Sequence, residues 1–381
     1  MQLLNIFRME AKYQLKSIVF WLFVTVVCLF AFSQFGLYQP GDLSAPQPGQ
    51  ERYGITANLT PAEEMEQIQL YLRRDISRRS TDRVVIFLNK EVKLDNDQVQ
   101  AMKDLLRQLE EGRLNYQQFA EKAAALDDLL GGNTIYSEEQ RKAYLHRPMT
   151  YQEAKEAFAR RAEEDGLANA FGRLLADYLG ITAGFFPLFI AAFLLGRDRR
   201  TRMEELIKVR KVNPIVYVGG KFLAVVTLLT LVYLLFALQP SWAFWKICSE
   251  NGWPFHPFGF IKYILGWITP TLLFTVALGM AVAELTGSGL AAIPVQIILW
   301  FNSISTLKGD YSLDKYIIRF NTSTGYDLYL QSQHAIFLNR LFYVAIAGIL
   351  VAITAWSWKR RSAERKRGLN VLGEFTRSTK I

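Results

Sequence analysis

The chain has 381 residues, of which 51% are hydrophobic and 21% are charged, and its formal net charge is +9. This composition excludes an ordinary soluble globule and an entirely membrane-buried bundle, because the apolar and the charged fractions are both large. The charge is segregated: residues 37–177 carry a net charge of −5, and the remaining residues carry +14. No recognition motif accompanies the positive charge, so we expect it to face anionic lipid and not nucleic acid.

Six apolar runs are predicted to cross a membrane, since about 20 apolar residues in a helix span the hydrocarbon core of a bilayer. They are 18–36, 178–196, 214–238, 259–283, 290–305 and 339–356. A cleaved signal peptide is an alternative for the first run. That run is longer than the usual apolar core of a signal peptide, and no clear cleavage site follows it. We therefore interpret it as a retained anchor.

Basic segments beside these runs predict the orientation of the chain. Residues 1–17 carry a net charge of +2, residues 197–213 carry +4 and residues 358–381 carry +6. Short loops rich in Lys and Arg stay in the cytoplasm, which places both ends of the chain and the 197–213 segment inside. The first segment also has the pattern of an interfacial helix, and the last is a basic cytoplasmic tail.

The 197–213 segment has an amphipathic pattern. If residues 204–211 are helical, Leu206, Ile207 and Val209 share a side with Met203, which suits a short helix that lies flat against the membrane or a partner. A stop-transfer charge cluster is the alternative.

Residues 37–177, between the first two apolar runs, are predicted to form a mainly helical extracytoplasmic domain. The capping-box pattern from Thr60 to Glu63 predicts a helix that ends near Arg79. The short apolar run 84–88 fits a strand or a helix equally well. Further helices are predicted over 95–111, over 116–130 and from Thr150 onward.

Two other segments are predicted outside the membrane. Residues 239–257 contain three tryptophans, as an outer interfacial loop does, and residues 306–337 are expected to form short amphipathic helices on the outer surface. Arg340 is expected to extend its side chain outward to the interface. The sequence thus predicts an all-α membrane protein with six transmembrane helices, N-in and C-in, and a helical extracytoplasmic domain between the first two.

No catalytic motif with the required spacing is present in the sequence. The segment Gly219–Phe222 lacks the spacing and the hydroxyl of a phosphate-binding loop, and there is no zinc or nucleophile motif. The histidines are too scattered for a metal site, and Cys28 and Cys248 predict no disulfide. Because the apolar runs hold few ionisable residues, a proton-coupled carrier is disfavoured. We therefore expect no enzymatic activity, cofactor or metal in this chain.

One stretch of the sequence resembles a known family. The segment Leu194–Ile207, with the sequence LLGRDRRTRMEELI, is followed by Pro214 and by Gly220–Ala224, with the sequence GKFLA. This order resembles the permease subunits of ABC-2 type exporters. In those subunits a D-R-x-x-G-T-x-E-x-L stretch, an amphipathic coupling helix and a G-K-x-L-A start of the third span follow one another. Arg202 and Met203 depart from the small residues that are common there.

The resemblance implies a half-transporter. Permeases of this family pair as homodimers or heterodimers, and each binds a separate ATP-binding subunit that carries ATP and Mg²⁺. A solvated helix face with local ion pairs is the alternative for the residues of the coupling region. The implied activity is export of a drug, an antibiotic peptide or a lipid-like compound across the cell membrane of a bacterium. The residues assigned to the contact with the ATP-binding subunit are Arg200, Glu204, Glu205, Lys208 and Arg210.

A second class of function has the same topology. A membrane-anchored sensor or resistance protein would bind a ligand or an envelope partner through its outer helical domain, without transport. The two functions differ in their need for an ATP-binding subunit, which only the transporter requires.

The predicted orientation is testable at Thr201, in the 197–213 segment. In a variant without Cys28 and Cys248, Thr201→Cys is expected to react with a membrane-impermeant maleimide only after the cytoplasmic side is opened. Ser249→Cys, in the predicted outer loop, is the control and should react in intact cells. Labelling of Thr201→Cys from the outside alone would invert the topology and contradict the assignment as an exporter subunit.

Overall fold

The computed structural model describes residues 2–36, 45–50, 53, 56–85, 88–201, 203–210, 212–304, 310–323 and 325–378. The chain divides into two compact units, one of residues 45–159 and one of Met1–Ser44 together with Arg160–Ile381. Two parts of the predicted organisation lie outside the described residues. They are the start of the predicted outer domain, 37–44, and the junction 305–309 between the predicted fifth span and the outer segment.

Helices dominate both units. In chain order they are α1 (Gln2–Gln14), α2 (Ile18–Phe35), α3 (Pro61–Arg78), α4 (Asn96–Glu110), α5 (Tyr116–Leu129), α6 (Glu138–Tyr144), α7 (Tyr151–Ala159), α8 (Leu167–Ala183), α9 (Leu188–Ala191), α10 (Leu194–Arg200), α11 (Met203–Val209), α12 (Pro214–Asn251), α13 (Gly259–Tyr263), α14 (Thr269–Thr286), α15 (Ala292–Ile304) and α16 (Tyr326–Ser378). The strands are β1 (Thr56–Asn58), β2 (Ser80–Val85), β3 (Leu88–Lys93) and β4 (His146–Pro148). Short π-helical and 3-10 turns occupy Arg160–Asp165, Ile264–Ile268 and Gly289–Ala291.

The unit of residues 45–159 contains α3 to α7 and short antiparallel strand pairs. β1 pairs with β4, and β2 pairs with β3 as a hairpin. The run 84–88, which fits a strand or a helix by sequence, contributes to this hairpin, and its residues 86 and 87 lie outside the described part. The sequence did not predict β3 because its composition is largely polar. Its strand conformation comes from cross-strand pairing and not from an apolar pattern.

The helix starts in this unit are built as the sequence indicated. The capping box predicted at Thr60 is confirmed, and Asp95 and Asn115 form the same arrangement at the starts of α4 and α5. Each such cap stabilises its helix by about 1 kcal/mol. The helices then pack around an apolar core whose fully buried members include Ile68, Leu72, Met102, Phe119 and Ala123.

A buried carboxylate fixes α3 against the segments around it. Asp75 accepts hydrogen bonds from Nε of Arg74 (2.8 Å), from Oγ1 of Thr81 (2.8 Å) and from the hydroxyl of Tyr136 (3.0 Å). Burial raises the pKa of Tyr136, and the charge of Asp75 raises it further. The hydroxyl therefore stays protonated and donates. These donors matter because a buried carboxylate without them is strongly unfavourable.

In the other unit, five helical segments among the described residues are long and apolar enough to cross a membrane. The run predicted as the fifth of six spans is a shorter apolar helix, Gly289–Ile304. The five long segments are Ile18–Phe35, Leu167–Arg200, Pro214–Asn251, Gly259–Thr286 and Tyr326–Arg361.

Three of these segments differ in extent from the predicted spans, and the last of them begins at Tyr326 and not at residue 339. The second begins at Leu167, whereas the sequence predicted Tyr178, because the charged side chains of Arg173 and Asp177 are paired inside the protein and do not end the helix. The third continues to Asn251, so that part of the expected outer loop is helical. It passes through Pro240, which is itself buried. Packing of the following turns therefore outweighs the lost backbone donor.

Residues 310–323 are not the short surface helices that the sequence predicted. This segment is not helical, and its side chains of Tyr316, Ile317, Ile318 and Phe320 are buried. The hydroxyl of Tyr316 donates to the carbonyl oxygen of Gly184 (2.8 Å). The apolar residues thus face the interior of the unit. Their spacing along the sequence did not distinguish this packing from an amphipathic surface helix.

The prediction for Arg340 is wrong. Its guanidinium is buried and donates to the carbonyl oxygens of Trp267 (3.1 Å) and Tyr316 (3.1 Å) and to Oγ1 of Thr271 (2.9 Å). Because acceptors inside the protein satisfy the guanidinium, the side chain does not extend to an interface.

The network around Asp75 is expected to stabilise the 45–159 unit. Tyr136→Phe removes one donor from a buried carboxylate and should cost about 1–3 kcal/mol. Hydrogen exchange of the α3 to α5 amides in the full chain measures this loss. Tyr144→Phe is the matched control, because Tyr144 is 59% exposed. Equal exchange in the two variants would contradict a stabilising role for the Tyr136 hydroxyl.

Candidate functional site

The segment predicted to bind a partner lies beside α1, which packs along the first turns of α12. Gly220 permits this approach. A Cβ atom at Gly220 would lie 2.9 Å from Cγ2 of Ile6 and 3.4 Å from the carbonyl oxygen of Leu3. A side chain at this position would therefore push α1 away from α12.

A buried ionic cluster joins α1, α10 and α12. Glu10 accepts hydrogen bonds from two guanidinium nitrogens of Arg197 (3.0 and 2.6 Å) and from Nζ of Lys221 (3.0 Å). Lys221 also lies 2.7 Å from a carboxylate oxygen of Asp198. The two cations and two anions balance. We call Glu10, Arg197, Asp198 and Lys221 the ionic clamp.

The environment of Glu10 determines its charge. Burial by itself raises the pKa of Glu10, but the hydrogen bond from Arg197 and the charge of Lys221 outweigh it and lower the pKa below its ordinary value of 4.5. The carboxylate is therefore ionised at neutral pH. Removing one member of a buried ion pair typically costs about 3–5 kcal/mol, because the other charge stays buried without compensation.

Aromatic side chains surround the ionic clamp. The guanidinium of Arg197 lies over the ring of Tyr13, 3.6 Å from its centre. The hydroxyl of Tyr217 donates to Asp198, and the ring of Tyr217 packs against Trp358 with ring centres 4.9 Å apart. Because Trp358 belongs to α16, this contact connects the ionic clamp to a fourth helix.

A second ionic cluster joins α10 to α14. Arg199 pairs with the buried carboxylate of Glu284, and its Nε lies 3.7 Å from Glu204. Arg361 also reaches Glu284, at 3.9 Å, and donates to the carbonyl oxygen of Leu285 (2.9 Å). Helix α10 is therefore attached through charged side chains to α1, α12 and α14, and Arg361 attaches α16 to α14.

The residues assigned by sequence to the partner contact are placed differently from one another. Arg200 and Arg210 are exposed. Glu204 is buried and ion-paired within the chain, so its contact with another subunit stays a prediction. The side chains of Glu205 and Lys208 lie outside the described part of α11.

The exposed side of α11 is apolar. Met203, Leu206 and Val209 are 45%, 61% and 79% exposed, whereas Glu204 points into the protein. The sequence predicted that apolar residues share a side of this helix. It did not predict that the chain leaves them uncovered while it buries the acidic residue.

Sequence reasoning missed most of the buried charges, because it treated the apolar runs as poor in ionisable residues. One signal was present. A single lysine in an otherwise apolar run, at Lys221, indicates a buried partner. The missed ionisable residues are Glu10, Lys221 and Glu284 in the two clusters, and the pairs Arg173 with Asp165 and Arg319 with Asp177 elsewhere in the unit.

Glu10→Gln is expected to weaken the attachment of α1 by about 3 kcal/mol, because Arg197 and Lys221 lose an ionised partner. Protection of the α1 amides against hydrogen exchange in the full chain measures this effect. Glu250→Gln is the control. Its exposed pair with Lys246 is worth less than about 1 kcal/mol.

The same measurement has a defined pH dependence. The folded pKa of Glu10 is lower than 4.5, so its contribution to stability is complete above about pH 4.5 and is lost as the pH falls through the folded pKa. The Glu10→Gln variant should lack this step. Equal protection of α1 in the variant and the wild type would contradict the ionic clamp.

Comparison with known proteins identifies the family. The family model described as ABC-2 family transporter protein matches residues 57–307, which include α8 to α14, the ionic clamp apart from Glu10, and the whole of α11. No curated protein and no solved structure gives a significant match to the chain. The chain therefore belongs to the ABC-2 family of transporter proteins, and it is a multi-pass membrane component of an ABC transport system.

Proposed function

We propose that the chain is the permease subunit of an ATP-dependent exporter in the cell membrane of a bacterium. Six segments cross the membrane, with α15 as the fifth, and both ends of the chain lie in the cytoplasm. Residues 45–159 then lie outside the cytoplasm. A separate ATP-binding subunit carries ATP and Mg²⁺ and performs the hydrolysis, so the permease itself is not an enzyme.

The exposed apolar side of α11 is the observation that carries this proposal. Met203, Leu206 and Val209 form a patch beside the basic residues Arg200 and Arg210. A helix that presents an apolar stripe with flanking charges fits a hydrophobic groove on a partner. The patch lies in the segment that resembles the coupling helix of the family. We therefore assign the contact with the ATP-binding subunit to this side of α11, with the two arginines at its rim.

The attachment of α10 supports a mechanical role for this contact. The short α11 follows directly on α10, and α10 is held by the ionic clamp and by the pair of Arg199 with Glu284. Buried, charge-compensated contacts of this kind resist sliding, since breaking one exposes an uncompensated charge to an apolar interior. Closure of the ATP-binding subunits would then move α10 together with α1, α12 and α14 as one body. This is a rigid-body transition driven from a distant site.

The second copy of the permease and the substrate complete the proposal. The exporter contains two permeases, as a homodimer or a heterodimer, and its substrate is a drug, an antibiotic peptide or a lipid-like compound. A sensor without transport activity would need no ATP-binding subunit. The contact at α11 therefore decides between the two functions.

The contact is testable by crosslinking in the native host. A photoactivatable residue in place of Val209 is expected to crosslink to a protein whose mass spectrum identifies an ATP-binding cassette. The same residue in place of Trp245, which is 52% exposed on α12, is the control and should give no such product.

A variant series defines the chemistry of the same contact. Leu206→Asp should reduce the amount of co-purified ATP-binding subunit at least tenfold, which corresponds to about 1.4 kcal/mol. Arg210→Glu should also reduce it, and Lys246→Glu, far along α12, should not. The proposal would be contradicted if the variant with the photoactivatable residue at position 209 transported substrate but formed no crosslink to an ATP-binding cassette protein.

A further inference from the structure

A pocket of about 340 Å³ lies between α10 and the turn that joins α14 to α15. It lies beside the second ionic cluster, and its Arg200 also stands at the rim of the apolar side of α11. Its lining is mixed and includes Phe193, Gly196, Arg199, Arg200, Ser288 and Leu290.

Arginine side chains lie at the pocket. Arg199 and Arg361 share the buried carboxylate of Glu284, and Arg199 also approaches Glu204. Arg200 is exposed and lines the pocket, with its guanidinium 5.9 Å from the ring centre of Phe193. The planar donors of an exposed guanidinium suit a phosphate group.

Two glycines of the lining have different surroundings. A Cβ at Gly289 would lie 2.8 Å from the carbonyl oxygen of Ala192 and 2.8 Å from the ring of Phe193, so this turn approaches α10 closely. A Cβ at Gly196 would meet no atom within 4 Å, which leaves the pocket open at that point. The cavity is large enough for a small ligand.

The position of the pocket indicates what fills it. It lies where the apolar segments Leu167–Arg200 and Gly259–Thr286 both end. The ends of membrane-crossing helices lie at the level of the lipid headgroups. Leu285 and Leu290, beside the pocket, are 53% and 65% exposed. An apolar rim at this level continues into the hydrocarbon region, whereas a soluble phosphate compound would gain nothing from it.

We propose that this pocket binds the headgroup of an anionic phospholipid. The lipid phosphate lies against Arg200, the glycerol occupies the cavity beside Gly196, and one acyl chain runs along Leu290. A basic pocket between membrane helices at the headgroup level has the chemistry that selects anionic lipids.

The test measures lipid retention on the full permease purified without an ATP-binding subunit. The protein is exposed to detergent micelles that contain equal amounts of phosphatidylglycerol and phosphatidylcholine, and retained lipid is counted by native mass spectrometry. Wild type should retain phosphatidylglycerol at least fivefold over phosphatidylcholine. Arg200→Ala should reduce this ratio at least threefold. Arg8→Ala, an exposed arginine on α1, should leave it unchanged.

A second variant distinguishes the effect of the cavity on lipid retention from the effect of the arginine charge. Ser288→Trp fills the cavity while it keeps all three arginines, and it should reduce retention as much as Arg200→Ala does. Thermal denaturation gives an independent readout of folding, and it should show that both variants melt cooperatively. In the same assay, phosphatidylglycerol should raise the melting temperature of wild type more than inorganic phosphate does.

Three outcomes would overturn the proposal. If retention falls equally in Arg200→Ala and Arg8→Ala, the lipid is held by the general surface charge and not by this pocket. Unchanged retention in Ser288→Trp would place the lipid elsewhere. Stabilisation by inorganic phosphate equal to that by phosphatidylglycerol would identify a soluble anion site. None of these results depends on an ATP-binding subunit, so failure here leaves the proposed contact at α11 untouched.

Discussion

The bidentate contact between Glu10 and Arg197, completed by Lys221, is the interaction on which the membrane unit depends. It places ionised groups where the surroundings are apolar, and such groups are tolerated only when they compensate one another. Each partner belongs to a different helix. The requirement for charge balance therefore becomes a requirement that α1, α10 and α12 stay together, and Gly220 provides the close approach that the contact needs.

The parts of the fold that depend on local sequence were predictable. The apolar runs predicted the long helices, and the hydrogen-bonding pattern at Thr60 predicted where α3 starts. Features that depend on partners far along the chain were not predictable. Arg340 is buried because Trp267, Thr271 and Tyr316 supply acceptors from distant parts of the chain, which the sequence around Arg340 does not reveal. The extension of α8 to Leu167 has the same cause, since Arg173 is paired with Asp165 inside the unit.

In the candidate site, too, the local features were predictable and those that depend on distant residues were not. The sequence identified the segment around α11 and its apolar side, because helical spacing is a local property. It assigned the acidic residues to the partner contact, whereas the structure turns Glu204 inward to Arg199 and leaves Leu206 and Val209 exposed. The direction in which a short helix faces depends on the helices beside it. The sequence of seven residues cannot specify that direction by itself.

The length of α12 has a consequence for how motion at one end of the membrane unit reaches the other. From Lys221 to Trp245 the helix extends about 36 Å, at about 1.5 Å per residue. A tilt of about 10° at the lysine would displace the tryptophan by about 6 Å if the helix were straight and stiff. Pro240 interrupts the backbone hydrogen bonding shortly before that point. The turns beyond Pro240 are packed, since Phe244 and Ile247 are fully buried, so movement there depends on the helices that contact this end as well as on the angle at Lys221.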